Sequence, residues 1–149
     1  MIDIYIKSGF VYAGKKGRKS CKKVIALTIA SSRFKRSKTL QINDDITRFK
    51  LEATAVIFAL GHIKDKFRKK DIRIHTDSHF LIQMAQRDAK SGEFVCRTKL
   101  QAIEWMRDTI MRYPNLRIVK LNHEHPLWTQ TAKMYDDCGF DDIMTDHTE

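Results

Sequence analysis

Ile72-Arg73-Ile74-His75-Thr76-Asp77-Ser78 is the stretch that decides the fold of this chain. Apolar and polar residues alternate through its first four positions, and this period of two predicts a strand with one buried face. Apolar residues at helical spacing follow from Ser78 through Phe80, Leu81 and Met84. The stretch therefore predicts a short strand, Ile72 to Thr76, that ends in an acidic side chain just before a helix.

The segment upstream of this strand has helical periodicity. From Thr47 to about Ile63 the apolar residues recur three or four positions apart, as expected for a helix with one buried face: Leu51, Ala55, Phe58, Ala59 and Ile63. The helix begins with Thr47-Arg48-Phe49-Lys50-Leu51-Glu52-Ala53, in which Thr47 is a favourable first-turn cap. Glu52 is therefore placed in the first half of this helix.

The remaining elements extend the pattern in both directions. Three strands joined by short turns precede the first helix, which predicts an antiparallel meander: Ile2 to Ile6, Val24 to Ala30 and Ser37 to Ile42. Downstream come an amphipathic helix, a fifth strand and a last helix that begins at Pro126 and ends at Gly139: Lys99 to Arg112, Leu116 to Leu121 and 126–139. The order β-β-β-α-β-α-α-β-α predicts an α/β fold with a five-stranded mixed sheet flanked by helices.

Length and composition fit one domain of 149 residues with an acidic tail. We assign residues 1–138 to the domain and 139–149 to the tail. No apolar run reaches about 18 residues, which predicts no membrane association. The start of the chain lacks the pattern of a signal peptide. The three cysteines, Cys21, Cys96 and Cys138, are odd in number and far apart, so a reducing, cytoplasmic location is expected.

The net charge of +10 is concentrated in the first third of the chain. Thirteen basic residues precede position 51, against Asp3, Asp44 and Asp45, whereas the residues after Lys133 include six acids and no Lys or Arg. A basic face beside an acidic tail favours a polyanionic partner, with nucleic acid first. The predicted contacts include a Gly/Lys turn: Lys15, Lys16, Arg18 and Lys19.

This element order, together with the two quoted motifs, resembles the ribonuclease H family over roughly residues 1 to 138. The resemblance implies a ribonuclease H-like fold in which Glu52 is a catalytic glutamate and Asp77 a metal-binding aspartate. It also makes Thr47 a phosphate-binding residue, although Thr47 could equally act only as the helix cap.

Two of the four acids that the family brings together are replaced. The resemblance places Lys7 at the first aspartate and Lys133 at the last, with Glu52 and Asp77 retained. Two carboxylates and two ammonium groups are neutral without a metal, so we expect ion pairs among Lys7, Asp77, Lys133 and Glu52, and no cofactor. If the chain were active, Mg²⁺ would bind at Glu52 and Asp77, because magnesium prefers hard oxygen ligands.

Other positions that match the family concern binding. Arg48, Lys50 and Arg97 replace polar residues that touch the nucleic acid, and cations there favour phosphates over base edges. His123 matches the histidine of a mobile loop, or is an ordinary surface residue. His123 and His125 have the spacing of zinc ligands, but the sequence offers no third ligand.

Three functions remain open at this point. The first is a catalytically degenerate ribonuclease H-like protein that binds an RNA/DNA hybrid, RNA or a ribonucleoprotein through its basic face. The second is an active, diverged ribonuclease H that cleaves RNA in hybrids with metal. The third is a subunit that docks other proteins in an assembly, since one fold serves many functions.

Overall fold

The computed structural model describes residues 1–13, 20–43, 45–85 and 97–147. Within these ranges the chain forms five strands and four α-helices, with a short 3-10 helix at Asp65–Phe67. The strands are β1 (Ile2–Ala13), β2 (Ser20–Ala30), β3 (Lys35–Ile42), β4 (Ile72–Thr76) and β5 (Leu116–Lys120). The helices are α1 (Arg48–Gly61), α2 (His79–Ala85), α3 (Arg97–Arg112) and α4 (Pro126–His147).

The strands form one mixed sheet in the order β3-β2-β1-β4-β5. β1 pairs antiparallel with β2, and β2 pairs antiparallel with β3, as expected for a meander. β4 lies parallel to β1 and β5 lies parallel to β4, because helices carry the chain back between them. The predicted α/β architecture, a five-stranded mixed sheet flanked by helices, is confirmed.

The two faces of the sheet are covered differently. Ile4, Ile74 and Ile118 point to one face and are buried in the hydrophobic core beneath α1 and α3, where Met106 also has no exposed surface. The opposite face is covered by α4, which packs on β1 and β2. A buried hydrogen bond of 2.7 Å between the hydroxyls of Thr28 and Thr131 joins β2 to α4.

Two differences from the sequence prediction affect the site. β1 continues past Ile6 to Ala13, because its second half pairs with β2 residue by residue, as in Gly9 opposite Val24. The prediction that Gly139 ends the last helix is wrong, since α4 runs on to His147. A single glycine keeps its N–H donor and costs a helix only about 0.5–1 kcal/mol relative to alanine. The predicted division at residue 138 therefore does not coincide with the end of a helix.

Among the described residues, no helix is both long enough and apolar enough to cross a membrane.

Candidate functional site

The candidate site lies where β4 ends beside the middle of β1. Tyr5 pairs with His75 across these parallel strands. Lys7 and Asp77 each follow two residues later. Lys7 still lies within β1, where it pairs with Ala26 of β2, whereas Asp77 is the first residue after β4.

Glu52 lies in the second turn of α1 and is 8% exposed. Its Oε1 atom accepts a hydrogen bond of 3.3 Å from Nε of Arg48, one turn earlier in the helix. Its Oε2 atom accepts one of 2.7 Å from the hydroxyl of Ser78. Both carboxylate oxygens of Glu52 therefore have protein partners.

Asp77 is half exposed and is bonded to the loop before α4. Its Oδ2 atom lies 2.8 Å from Nε2 of His123. The neighbouring His125 does not turn toward Asp77, because its Nδ1 atom accepts the backbone N–H of Leu127 and caps α4. His123 thus contacts Asp77, and His125 caps the helix that follows.

Lys7 occupies a pocket formed by α4. Its Nζ atom lies 4.6 Å from the centre of the Tyr135 ring, 5.8 Å from the centre of the Trp128 ring and 3.5 Å from Oδ1 of Asp136. Two π-faces and a carboxylate are favourable neighbours for an ammonium group. The sequence analysis missed Tyr135 and Asp136 as site residues, although their spacing from Trp128 places all three on one side of a helix.

Lys133 is not brought to this pocket. It is exposed on α4, about 120° around the helix from the side that carries Trp128, Tyr135 and Asp136. Ala132, one residue earlier, shares the side that contacts Lys7. Ala132 and Lys133 are adjacent in sequence, so only the packing of α4 on the sheet shows which of them faces Lys7.

The expected closure of the site by ion pairs among Lys7, Asp77, Lys133 and Glu52 is wrong. Lys7 pairs with Asp136, Glu52 with Arg48, and Asp77 with His123. Each carboxylate has found a nearer cation or imidazole than the expected lysine. Within the described ranges, no group of three or more His, Cys, Asp or Glu side chains is arranged to hold a metal ion.

The start of α1 carries the other predicted contacts. The hydroxyl of Thr47 accepts the backbone N–H of Lys50, so Thr47 is the helix cap. Lys50 lies over the ring of Trp105 on α3, with 5.6 Å between Nζ and the ring centre. Arg97 begins α3, but its side chain lies outside the described part of the chain, as do Lys15, Lys16, Arg18 and Lys19.

A stack of three rings supports the site from beneath. The Tyr5 ring lies between those of His75 and His125, at centre distances of 4.2 Å and 4.9 Å. Nε2 of His75 lies 2.9 Å from Oδ1 of Asp3, which fixes the far end of the stack. Burial raises the pKa of the Tyr5 hydroxyl above its ordinary value of 10.0, and the Asp3 carboxylate adds to the rise while Arg73 opposes it.

Comparison with known proteins supports the architecture. No family model and no curated protein matches the sequence. A ribonuclease H1 isolated from compost has a TM-score of 0.68 at 19% identity, over 94% of this chain and 96% of that chain. The same protein in complex with an RNA/DNA hybrid has a TM-score of 0.55 at 16% identity, over 92% of each chain.

A viral polyprotein gives the same result. The prototype foamy virus protease-reverse transcriptase has a TM-score of 0.64 at 12% identity, over 95% of this chain and 20% of the viral chain. At such identities the likeness concerns the fold alone. The chain therefore has a ribonuclease H-like fold.

Proposed function

We propose that this protein is a catalytically degenerate ribonuclease H-like module that binds nucleic acid through its basic face and does not cleave it with metal. The observation that carries the proposal is the position of Lys7. Lys7 follows Tyr5 on β1 by two residues, as Asp77 follows His75 on the neighbouring β4, and its ammonium group contacts Trp128, Tyr135 and Asp136. The resemblance puts a metal-binding aspartate at that position, so the site contains a fixed protein cation instead.

The donor set does not fit a pair of magnesium ions. Two-metal hydrolysis requires several carboxylates that converge on ions about 4 Å apart. Glu52 is buried and bonded to Arg48 and Ser78, and Asp77 is bonded to His123. Asp136 is occupied by Lys7, whose positive charge repels a divalent ion. We therefore derive no reaction step through a metal at this site.

The groups that remain suit the binding of a sugar-phosphate backbone. Arg48 is largely exposed at the start of α1, and Lys50 lies beside it over Trp105. The N–H groups of the first turn of α1 add a positive dipole at the same place. A structural neighbour of this chain has been solved with an RNA/DNA hybrid, so a hybrid is the first ligand to test.

The test has a cleavage arm and a binding arm. We expect no metal-dependent cleavage of an end-labelled RNA/DNA hybrid with Mg²⁺ or Mn²⁺. We also expect the hybrid to bind with an affinity that falls as salt rises. Each phosphate contact contributes about 0.9 to the slope of log affinity against log salt, so Arg48→Ala with Lys50→Ala should flatten the slope by up to about 2.

A matched variant controls for the loss of charge. Arg33→Ala with Lys35→Ala removes the same two charges from the exposed turn between β2 and β3, at the other end of the sheet. This variant should bind the hybrid with an affinity within about twofold of that of the wild type. Cleavage that is lost in Glu52→Gln and Asp77→Asn would establish an active enzyme instead. Absence of hybrid, RNA and DNA binding at low salt would favour a protein-docking subunit.

A further inference from the structure

A second group of cations lies at the opposite end of the sheet from the candidate site. The connection between α1 and β4 has five exposed cations within seven residues, with Asp65 as the one acid among them: Lys64, Lys66, Arg68, Lys69 and Lys70. The fourteen residues of α1 separate this connection from Arg48, which is about 20 Å along the helix axis. The two groups of cations are therefore separate surfaces.

Two arginines from the sheet extend this group. Arg73 and Arg117 are paired neighbours on the parallel strands β4 and β5. Because Ile74 and Ile118 point into the core, both arginines point to the opposite face, beyond the part that α4 covers on β1 and β2. Asn115 links the two segments, since its side-chain amide donates to the backbone carbonyl of Lys69. We call the five cations of 64–70, with Arg73 and Arg117, the distal basic surface.

The charges of this surface are poorly balanced. Arg73 has one carboxylate at 4.0 Å, that of Asp3. Among the residues that the structure describes, Arg117 and the five cations of 64–70 form no ion pair. Lys66 and Lys70 lie over the same ring, that of Phe67, at 5.0 Å and 5.2 Å. Like charges on neighbouring strand positions destabilise a sheet, so a bound polyanion would relieve repulsion that the protein leaves uncompensated.

The shape and chemistry favour an extended ligand. The cleft between Arg73 and Arg117, which the exposed acid Asp71 also lines, has a volume of about 30 Å³, enough for a water molecule but not for an enclosed anion. The large apolar side chains here are engaged by cations: Met1 accepts a contact of 2.9 Å from Arg73, and Phe67 lies under the two lysines. Protein interfaces usually have an apolar centre. Because cations cover the apolar side chains here, the surface offers no such centre to a protein partner.

We infer that the distal basic surface binds the sugar-phosphate backbone of a second nucleic-acid segment. One copy of the protein then holds two segments, one at the start of α1 and one at the opposite end of the sheet. The bridging part of this inference rests on the proposed function, because the first segment is the one bound by Arg48 and Lys50. The distal contact itself stands on its own residues.

The experiment is a capture of one duplex by another. A biotinylated RNA/DNA hybrid is immobilised, the full chain is bound to it, and a second, fluorescent hybrid of different sequence is added at low salt. Three variants each remove two cations: Lys66→Ala with Lys70→Ala, Arg48→Ala with Lys50→Ala, and Arg33→Ala with Lys35→Ala. Arg33 and Lys35 lie at the same end of the sheet as the distal basic surface, but on the edge strand β3 and the turn before it, three strands away from β4. The wild type and the Arg33 and Lys35 variant should therefore capture the fluorescent hybrid. The Lys66 and Lys70 variant should bind the first hybrid but lose capture about tenfold or more, because two phosphate contacts are removed.

A positional readout accompanies the capture. Lysine acylation, quantified by mass spectrometry, should be slowed by excess hybrid at Lys64, Lys66, Lys69 and Lys70 and unchanged at Lys133, which is exposed beside an acidic stretch. Normal binding through Arg48 and Lys50 without capture, or capture that survives the distal variant, would overturn the distal proposal alone. Binding that depends on Lys66 and Lys70 but not on Arg48 and Lys50 would overturn the proposed binding face and support the distal one. Protection by an acidic protein but not by a hybrid would assign the surface to a protein partner.

Discussion

The imidazole of His123 lies 2.8 Å from the carboxylate of Asp77, a contact across 46 residues that ties the loop before α4 to the end of β4. Together with the Lys7–Asp136 pair and the bonds of Glu52 to Arg48 and Ser78, it gives these three acids partners from the protein itself. The site is therefore complete as a network of side chains. Four experiments test whether its geometry and its supports are as described.

Restoring acids should create a metal site only on the correct side of α4. Ala132 shares the side of α4 that contacts Lys7, and Lys133 does not. Lys7→Asp with Ala132→Asp should therefore crowd carboxylates and lower the thermal unfolding temperature without metal. Saturating Mg²⁺ should then recover about 2.7 kcal/mol at one hundred times its dissociation constant.

The matched control is Lys7→Asp with Lys133→Asp, which adds the same two carboxylates and also removes the ammonium group of Lys133. Its unfolding temperature should respond to Mg²⁺ much less. An equal response in the two variants, or none in either, would mean that Ala132 does not face the position of Lys7.

The hydroxyls of Thr28 and Thr131 should be strongly coupled in their effect on stability, and the two single variants should lose unequal amounts of it. Thr131 donates to the carbonyl of Leu127 at 2.7 Å, so Thr28 is the donor in the bond between the two threonines. Thr131→Val leaves a buried donor unpaired and should cost about 1–3 kcal/mol. Thr28→Val should cost less, because Thr131 keeps its bond to Leu127.

Urea unfolding of the two single variants and the double variant measures this coupling. The double variant should be clearly less destabilised than the sum of the two. Thr54→Val is the control, since the hydroxyl of Thr54 makes the same kind of bond to the carbonyl of Lys50 within α1. Among the residues that the structure describes, it bonds to no hydroxyl across the core. Additive losses would show that the Thr28–Thr131 bond contributes little.

Gly9 should be intolerant of a side chain because of Tyr135. A Cβ atom at position 9 would lie 2.5 Å from the hydroxyl oxygen of Tyr135, so Gly9→Ala should destabilise the protein by about 1–3 kcal/mol. Tyr135→Phe removes the clashing oxygen and should relieve most of that loss when the two changes are combined. At Gly61 a Cβ atom meets nothing within 4 Å, so Gly61→Ala should be near neutral. A tolerated Gly9→Ala in the Tyr135 background would contradict the close approach of α4 to β1.

Tyr5 should make the protein sensitive to alkaline pH. Because the pKa of Tyr5 is raised by burial in the folded state, the folded protein holds the phenol proton more tightly than the unfolded chain does. The stabilisation is complete below the ordinary pKa of 10.0 and is lost as pH rises through the folded value. The free energy of unfolding should therefore fall more steeply as pH rises above about 10 in the wild type than in Tyr5→Phe. If the free energy of unfolding fell equally with pH in the two proteins, the prediction for Tyr5 would be contradicted.

Local patterns predicted the elements whose signals lie within a few residues. The strand Ile72–Thr76 has the predicted bounds, because the alternation of apolar and polar residues that predicts it lies within the strand itself. β1 was predicted as Ile2 to Ile6, where apolar and polar residues alternate. Pairing with β2 carries it to Ala13, and the side chain of Tyr135 fills the space above Gly9.

The contacts of the candidate site also divide into local ones, which the sequence predicts, and long-range ones, which it does not. The contact between Arg48 and Glu52 spans one helical turn and follows from sequence spacing. The partners of Lys7 come from α4, more than a hundred residues away, and depend on how that helix is rotated on the sheet. A rotation of α4 by one residue decides whether Ala132 or Lys133 faces Lys7. Because α4 is only weakly amphipathic, its sequence pattern does not specify that rotation.

The position of β1 has a consequence for how the chain acquires its structure. β1 is the central strand, and its two neighbours arrive at very different times during synthesis: β2 follows directly, whereas Ile2 must wait for Ile72. Until then a nascent meander has a bare backbone edge beside the apolar side chains of Ile2, Ile4 and Ile6, which is a template for pairing with another chain. Closure of that edge across about seventy residues is slow compared with forming the meander, because long loops must be ordered first. The ribosome-bound chain is thus most vulnerable to aggregation between the emergence of β3 and that of β4.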